Sequence, residues 1–288
     1  MKFFVSKSGK LHFLNISALM ISKSTNFRCL ISTSELLRGV GHEREMKVSE
    51  AFVYGGIDYD RQILPSDGVS ELVAENIRQS TYWSFLPGAL EEANYISQVF
   101  ESSAVHVNLK SGPAATEFSV RQLSSNQKPF FLHLATHGFI NLAQPDEMAL
   151  IRKEDWDESL SRAGMVFSGA NTTRYTGINN GILTGSEVAT LDLRKCHLVV
   201  LSACQSGLGD VIGNEGVYGL QRAFKLAGVS AVISALWEIP DLDTKNFMVS
   251  FYGYLISSKS IPVAFRKAQM EAMQTMKPYS WAGFVLIE

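Results

Sequence analysis

A histidine at position 137 and a cysteine at position 204 each follow a short apolar run, and each has glycine close behind it. The first run is Phe130-Phe131-Leu132-His133-Leu134-Ala135-Thr136-His137-Gly138. The second is Leu198-Val199-Val200-Leu201-Ser202-Ala203-Cys204-Gln205-Ser206-Gly207. A thiol and an imidazole are the two groups that nucleophilic acyl transfer needs: the sulfur attacks and the ring moves the proton. Glycine beside the imidazole lets substrate backbone approach closely and leaves an N–H free to donate. Cys204 enters a polar, glycine-rich turn, where its own N–H can face an oxyanion. For such side chains to meet, something must carry them to one place. Nearly unbroken apolar runs of this length read as strands buried on both faces of a parallel sheet. In such sheets, functional groups gather just outside the carboxyl ends of the strands.

Other chemistries fit these residues less well. Cys29, Cys196 and Cys204 are the three cysteines, too few for a disulfide framework and without a C-x-x-C pair for metal. Cys196 and Cys204 flank one expected strand and stand about 25 Å apart at roughly 3.3 Å per residue, so they cannot share an ion. Cys29 and Cys196 read as structural. His133 and His137 have the i, i+4 spacing of a zinc pair, but on a strand and without the glutamate of H-E-x-x-H. His133 reads instead as a core histidine, roughly 13 Å deeper on the same strand face. Gly207-Leu208-Gly209-Asp210-Val211-Ile212-Gly213 imitates a dinucleotide loop, with one residue too many and no acid at the end of the next strand. No G-x-S-x-G is present for a serine hydrolase. Neither metal nor cofactor is expected.

The elements that position the pair can be traced along the chain. Strand-like runs recur near 11–16, 27–32, 51–55, 104–108, 130–136, 197–203, 229–236 and 283–287, and the opening residues read as a strand pair. Helical spacing marks 88–101 (Leu90, Ala93, Ile96, Phe100), 216–227, 242–257 and 261–276, the last with Pro262 in its first turn. The alternation predicts an α/β domain with a largely parallel sheet. A polar, turn-rich stretch at 141–185 interrupts it, with short strands expected at 164–168 and 182–184, and reads as substrate-facing loops or a small hairpin. The whole of 1–288 is expected to be one domain, in which 1–110 supports a catalytic part at 128–288. Among the acidic residues, Asp210 and Glu215 follow the cysteine, and Asp241 and Asp243 follow the strand ending at Trp237. A carboxylate in the pocket would select a basic substrate side chain. Asp243 is expected to cap the helix beginning near 243, and Asp241 fits a cap or a pocket equally.

The chain has 288 residues, 46% hydrophobic and 19% charged, with net charge −2. That balance, without Lys/Arg clusters, gives no electrostatic case for nucleic acid. No stretch approaches the roughly 20 apolar residues that span a bilayer. No clean cleavage site follows Met1-Lys2-Phe3-Phe4-Val5, so a cytoplasmic protein is expected.

These motifs together resemble the CHAT family of caspase-like domains, often found beside TPR repeats and grouped with the caspase, separase and gingipain type of cysteine peptidase. The histidine motif is carried by 133–138 and the cysteine motif by 199–209. The segment 213–241, with 86–96 and 279–288, extends the likeness over nearly the whole chain. The resemblance implies a caspase-like α/β sandwich of three layers around the sheet and hydrolysis of peptide bonds through a thioester. It assigns His137 and Cys204 as the dyad, with no third member needed, and the N–H groups of Gly138 and Cys204 as the oxyanion hole. The Leu236–Asp241 stretch is similar to a separase segment that reads a basic P1 residue, which makes Asp241, with Trp237 and Asp210, candidates for the pocket. Expected partners are protein or peptide substrates and a TPR-containing or other regulatory protein that gates the site. The rival reading is a non-enzymatic scaffold of the same fold.

Overall fold

The computed structural model describes residues 2–6, 15, 26–30, 48–62, 82–103, 105–140, 160–172, 179–202, 209–211 and 217–288. In chain order its first strands are β1 (Lys2–Ser6), β2 (Asn26–Leu30), β3 (Glu50–Ile57), β4 (His106–Gly112), β5 (Phe130–Ala135), β6 (Gly138–Ile140) and β7 (Ala163–Val166). There follow β8 (Ile182–Thr184), β9 (Cys196–Ser202), β10 (Gly209–Val211), β11 (Val217–Gly219), β12 (Ala231–Ala235) and β13 (Phe284–Ile287). The helices are α1 (Pro87–Glu101), α2 (Glu117–Arg121), α3 (Gly185–Ala189), α4 (Leu220–Leu226), α5 (Asp241–Ser258), α6 (Ile261–Thr275) and α7 (Pro278–Trp281).

Eight strands form one sheet in the order β1-β2-β13-β12-β9-β5-β3-β4. Every pairing in it is parallel except β12 with β13. From β3 the chain steps outward to β4 at the edge, then returns to place β5 on the other side of β3. The strand order therefore reverses between β3 and β5, which opens a crevice at their carboxyl ends.

All six residues of β5 are buried because the strand is covered on both faces, as its unbroken apolar sequence requires. Phe130, Leu132 and Leu134 pack into a cluster with Val120, Leu123, Val188 and Phe224, on the side of α2, α3 and α4. Phe131 packs into a second cluster with Ala93, Ile96 and Phe100 of α1 and with apolar residues of α5 and α6. Helix, sheet and helix make the three layers. The described part of the interrupting stretch forms a small antiparallel sheet, β6-β7-β8, fed directly by the end of β5.

The expected alternation holds across the described residues, with local corrections. The run at 11–16 lies outside them apart from Asn15, whose amide donates to the carbonyls of Ala282 and Phe284 at 2.8 and 2.7 Å. The opening strand pairs in parallel with β2. The helix expected from 216 starts at Leu220, because 217–219 pair antiparallel with 209–211. That hairpin also removes the dinucleotide reading of 207–213, since such a loop must pass from strand directly into helix. No described helix is long and apolar enough to cross a membrane.

Candidate active site

β5 and β9 are neighbours in parallel, and their last paired residues are Ala135 and Ser202. His137 stands two residues beyond Ala135, and Cys204 two residues beyond Ser202. Adjacent strands lie about 4.8 Å apart, so the two chains leave the sheet side by side. Cys204 itself lies outside the described residues.

His137 is held from several directions. Its Nε2 is 2.8 Å from the main-chain carbonyl oxygen of Ser84. A carbonyl only accepts, so Nε2 carries the proton and, in the neutral ring, Nδ1 is left as the base. The rings of Tyr59 and Trp83 lie on the imidazole, each at a centroid distance of 5.2 Å. The Tyr59 hydroxyl donates to Thr136 Oγ1 at 2.8 Å, and Thr136 passes a hydrogen bond to the Val166 carbonyl. Burial pushes the Tyr59 phenol up, which keeps it a donor. The Trp83–Ser84 segment is pinned by Asn171, whose Oδ1 accepts from Trp83 N at 3.1 Å. The Asn171 Nδ2 donates to the Trp83 carbonyl and to Asp60, both at 2.9 Å. The resemblance called for no third member beside the dyad, yet the Ser84 carbonyl takes up the orienting place.

Gly138 opens β6 opposite Met165. Because Val166 N donates to the His137 carbonyl at 3.0 Å, Gly138 and Met165 form a non-hydrogen-bonded pair. The Gly138 N–H therefore points away from the β7 ladder.

The structure keeps the other sulfur and imidazole apart from this place. Cys196 starts β9 fully buried, its S–H directed at the Leu198 carbonyl at 3.2 Å, and burial pushes its thiol up. His133 is buried on the α1 side of the sheet, with Nδ1 3.0 Å from the Tyr252 hydroxyl.

The pocket candidates are scattered. Asp241 is the exposed first residue of α5, and a Cβ on Gly88 would come 3.2 Å from its own Cβ. It therefore flanks the first turn of α1, four residues on from Ser84. Trp237 turns elsewhere: its indole N–H donates to the Tyr279 carbonyl at 2.7 Å, and its ring lies 5.8 Å from that of Tyr279. Asp210 belongs to β10, whose backbone alone is described. Asp243 is not the cap that sequence suggested. The helix starts two residues earlier, after Pro240, and the Asp243 carboxylate accepts from the Ser280 hydroxyl instead.

Sequence reasoning missed Ser84, because a main-chain carbonyl has no residue-type signature. The aromatic cluster Tyr82-Trp83-Ser84-Phe85 just ahead of Pro87 was the available signal.

A mostly parallel α/β sandwich with helices on both faces of its sheet is a caspase-like fold. Yeast (Saccharomyces cerevisiae) separase, in its complex with securin, superposes with a TM-score of 0.55 at 12% identity, over 100% of this chain and 15% of that one. The RgpB gingipain of Porphyromonas gingivalis superposes with a TM-score of 0.53 at 9% identity, over 91% of this chain and 54% of that one. The CHAT domain matches residues 2–288, and the chain belongs to that family. Human tetratricopeptide repeat protein 28 is 28% identical over 221 residues, 71% of this chain, and the mouse protein of that name is 38% identical over 111 residues, 37% of this chain. The chain spans 8% and 4% of the lengths of these two relatives.

Proposed function

We propose that this domain is a cysteine endopeptidase acting through His137 and Cys204. The observation that carries the reading is the register of β5 and β9, which starts both residues from one paired rung, with His137 already oriented through Nε2. In the reaction, the Cys204 thiolate attacks the scissile carbonyl carbon. The N–H groups of Gly138 and Cys204 receive the oxyanion. His137 gives a proton to the leaving amine, and a thioester remains. Water then attacks the thioester, His137 takes a water proton, and the Cys204 thiolate leaves as the carboxylic acid is released, restoring the starting protonation.

Substrates are proteins or peptides, with Asp241 favouring a basic P1 side chain, and Asp210 and Trp237 as further pocket residues. The activity is gated by a TPR-containing or other regulatory protein, a reading supported by the name of the relatives, and the setting is cytoplasmic. No metal or cofactor takes part.

Iodoacetamide labelling followed by peptide mass mapping, paired with cleavage profiling on a peptide library, tests the reading. Labelling concentrated on Cys204, and cleavage lost in both Cys204→Ala and His137→Ala, are expected. Near wild-type cleavage by either variant overturns the dyad. Folded protein that neither labels nor cleaves, with and without a TPR-containing relative, turns the assignment to a scaffold.

A further inference from the structure

Glu92 lies in the second turn of α1, and its position is unusual for a carboxylate. It is 4% exposed, beneath the sheet, while its neighbour Glu91 reaches solvent and pairs with Lys245 at 2.6 Å. The Glu92 Oε2 accepts from the Ser202 hydroxyl at 2.9 Å. Its Oε1 lies 3.2 Å from His133 Nε2, an electrostatic approach without hydrogen-bond alignment. With a carboxylate facing Nε2, the proton sits there and Nδ1 accepts from the Tyr252 hydroxyl. Burial first, then the nearby Glu92, hold that phenol's pKa well above its ordinary value. The network joins α1, β5, β9 and α5 in one place.

A buried carboxylate carries a heavy desolvation cost, and an apolar side chain would join the helix to the sheet without it. What an apolar residue cannot do is fix the hydroxyl of the last residue of β9. That residue, Ser202, stands two positions before Cys204 in the sequence. Eight residues before Glu92, the chain leading into the same helix supplies the Ser84 carbonyl that orients His137. One helix thus grips both strand exits, β5 at its N-terminal flank and β9 at its second turn.

We propose that Glu92 is a positioning residue of the candidate site, holding the end of β9 through Ser202 so that α1 sets both halves of the dyad together. The inference rests on the peptidase reading above. It acts through Ser202 and touches neither substrate nor the reacting atoms.

The test compares Ser202→Ala, Ser202→Thr and Glu92→Gln with wild type in peptide cleavage, with hydrogen exchange of the 196–202 amides as a readout independent of catalysis. Ser202→Ala is expected to lower kcat by about 10- to 100-fold, the scale of a small misplacement near the chemistry, with KM unchanged and faster exchange at 200–202. Ser202→Thr keeps the hydroxyl and is expected to restore both, whereas a loss of stability alone would not track the hydroxyl. Glu92→Gln is expected to change both in the same direction as Ser202→Ala but less, since its amide offers one acceptor oxygen where Ser202 and the His133 N–H each face a carboxylate oxygen in the wild type. Unchanged kcat and unchanged exchange in folded Ser202→Ala and Glu92→Gln overturn the proposal. If wild type neither labels nor cleaves, with and without a TPR-containing relative, the peptidase reading falls, and the exchange data alone then decide whether Glu92 holds the strand end.

Discussion

His137 gains its orientation from a group with no side chain, so its usefulness depends on whatever keeps Ser84 in place. Asn171 does this with both ends of its amide, bridging Trp83 N and O to Asp60. Neutral hydrogen bonds of this kind contribute about 1 kcal/mol each, and losing them together frees the 82–86 segment. Asn171→Ala is therefore expected to lower kcat while leaving KM near its wild-type value, because the substrate walls are untouched and the imidazole loses its fixed acceptor. Steady-state kinetics with a cleavable peptide checks it, and an unaltered kcat would show that Ser84 is held without Asn171. The residue scale is also where sequence reading was most uneven. His137 was legible because an apolar strand ending in His-Gly is a rare pattern. Glu92 was not, because Leu90-Glu91-Glu92-Ala93 reads as the polar face of a helix and only the fold shows one glutamate turned inward.

At the scale of elements, the contact that matters most is α1 on β3. Gly55 makes it possible: a Cβ there would run into the Ala89 carbonyl oxygen and come 2.7 Å from the Ala93 Cβ. Next to it Gly56 takes φ +62° where the β3–β4 register shifts, a conformation glycine adopts freely. Since α1 carries Glu92 and follows Ser84, lifting the helix from the sheet disturbs both strand exits at once. Gly55→Ala is expected to cost about 1–3 kcal/mol through overpacking and to depress cleavage more than that loss explains when assayed well below its Tm. Thermal unfolding alongside kinetics measures both, and full activity at lowered Tm would free α1 of this role. The long elements were readable because periodicity accumulates over many residues: α1, α5 and α6 show helical spacing, and β5, β9 and β12 are unbroken apolar runs. Three-residue strands such as β6, β10 and β11 carry too few positions for any period, so the sequence alone shows neither that α4 begins only at Leu220 nor that 209–211 pair with 217–219.

For the molecule as a whole, two apolar clusters sandwich one sheet, and the candidate site sits at the carboxyl ends of strands that both clusters hold. Global stability and site geometry can nevertheless be separated, because the β13 end of the second cluster is tied by its own aromatic contacts between α5, α6 and β13. Phe247 is central to them. It stacks on Phe284 of β13 at 4.1 Å and 12° and meets Phe265 of α6 edge-on at 5.7 Å, tying helix pair to sheet at the β13 end. Truncating a buried phenylalanine costs about 3–5 kcal/mol, and each kcal/mol lowers Tm by roughly 2–4 °C in chains of about this length. Phe247→Ala is expected to lower Tm accordingly while leaving kcat and KM at wild-type values well below the new midpoint. That outcome sets it apart from Gly55→Ala, which disturbs the α1 contact itself. Equal losses of activity in the two variants, measured at equal distance below their respective Tm values, would mean that catalysis follows overall stability and that α1 has no privileged hold on the site.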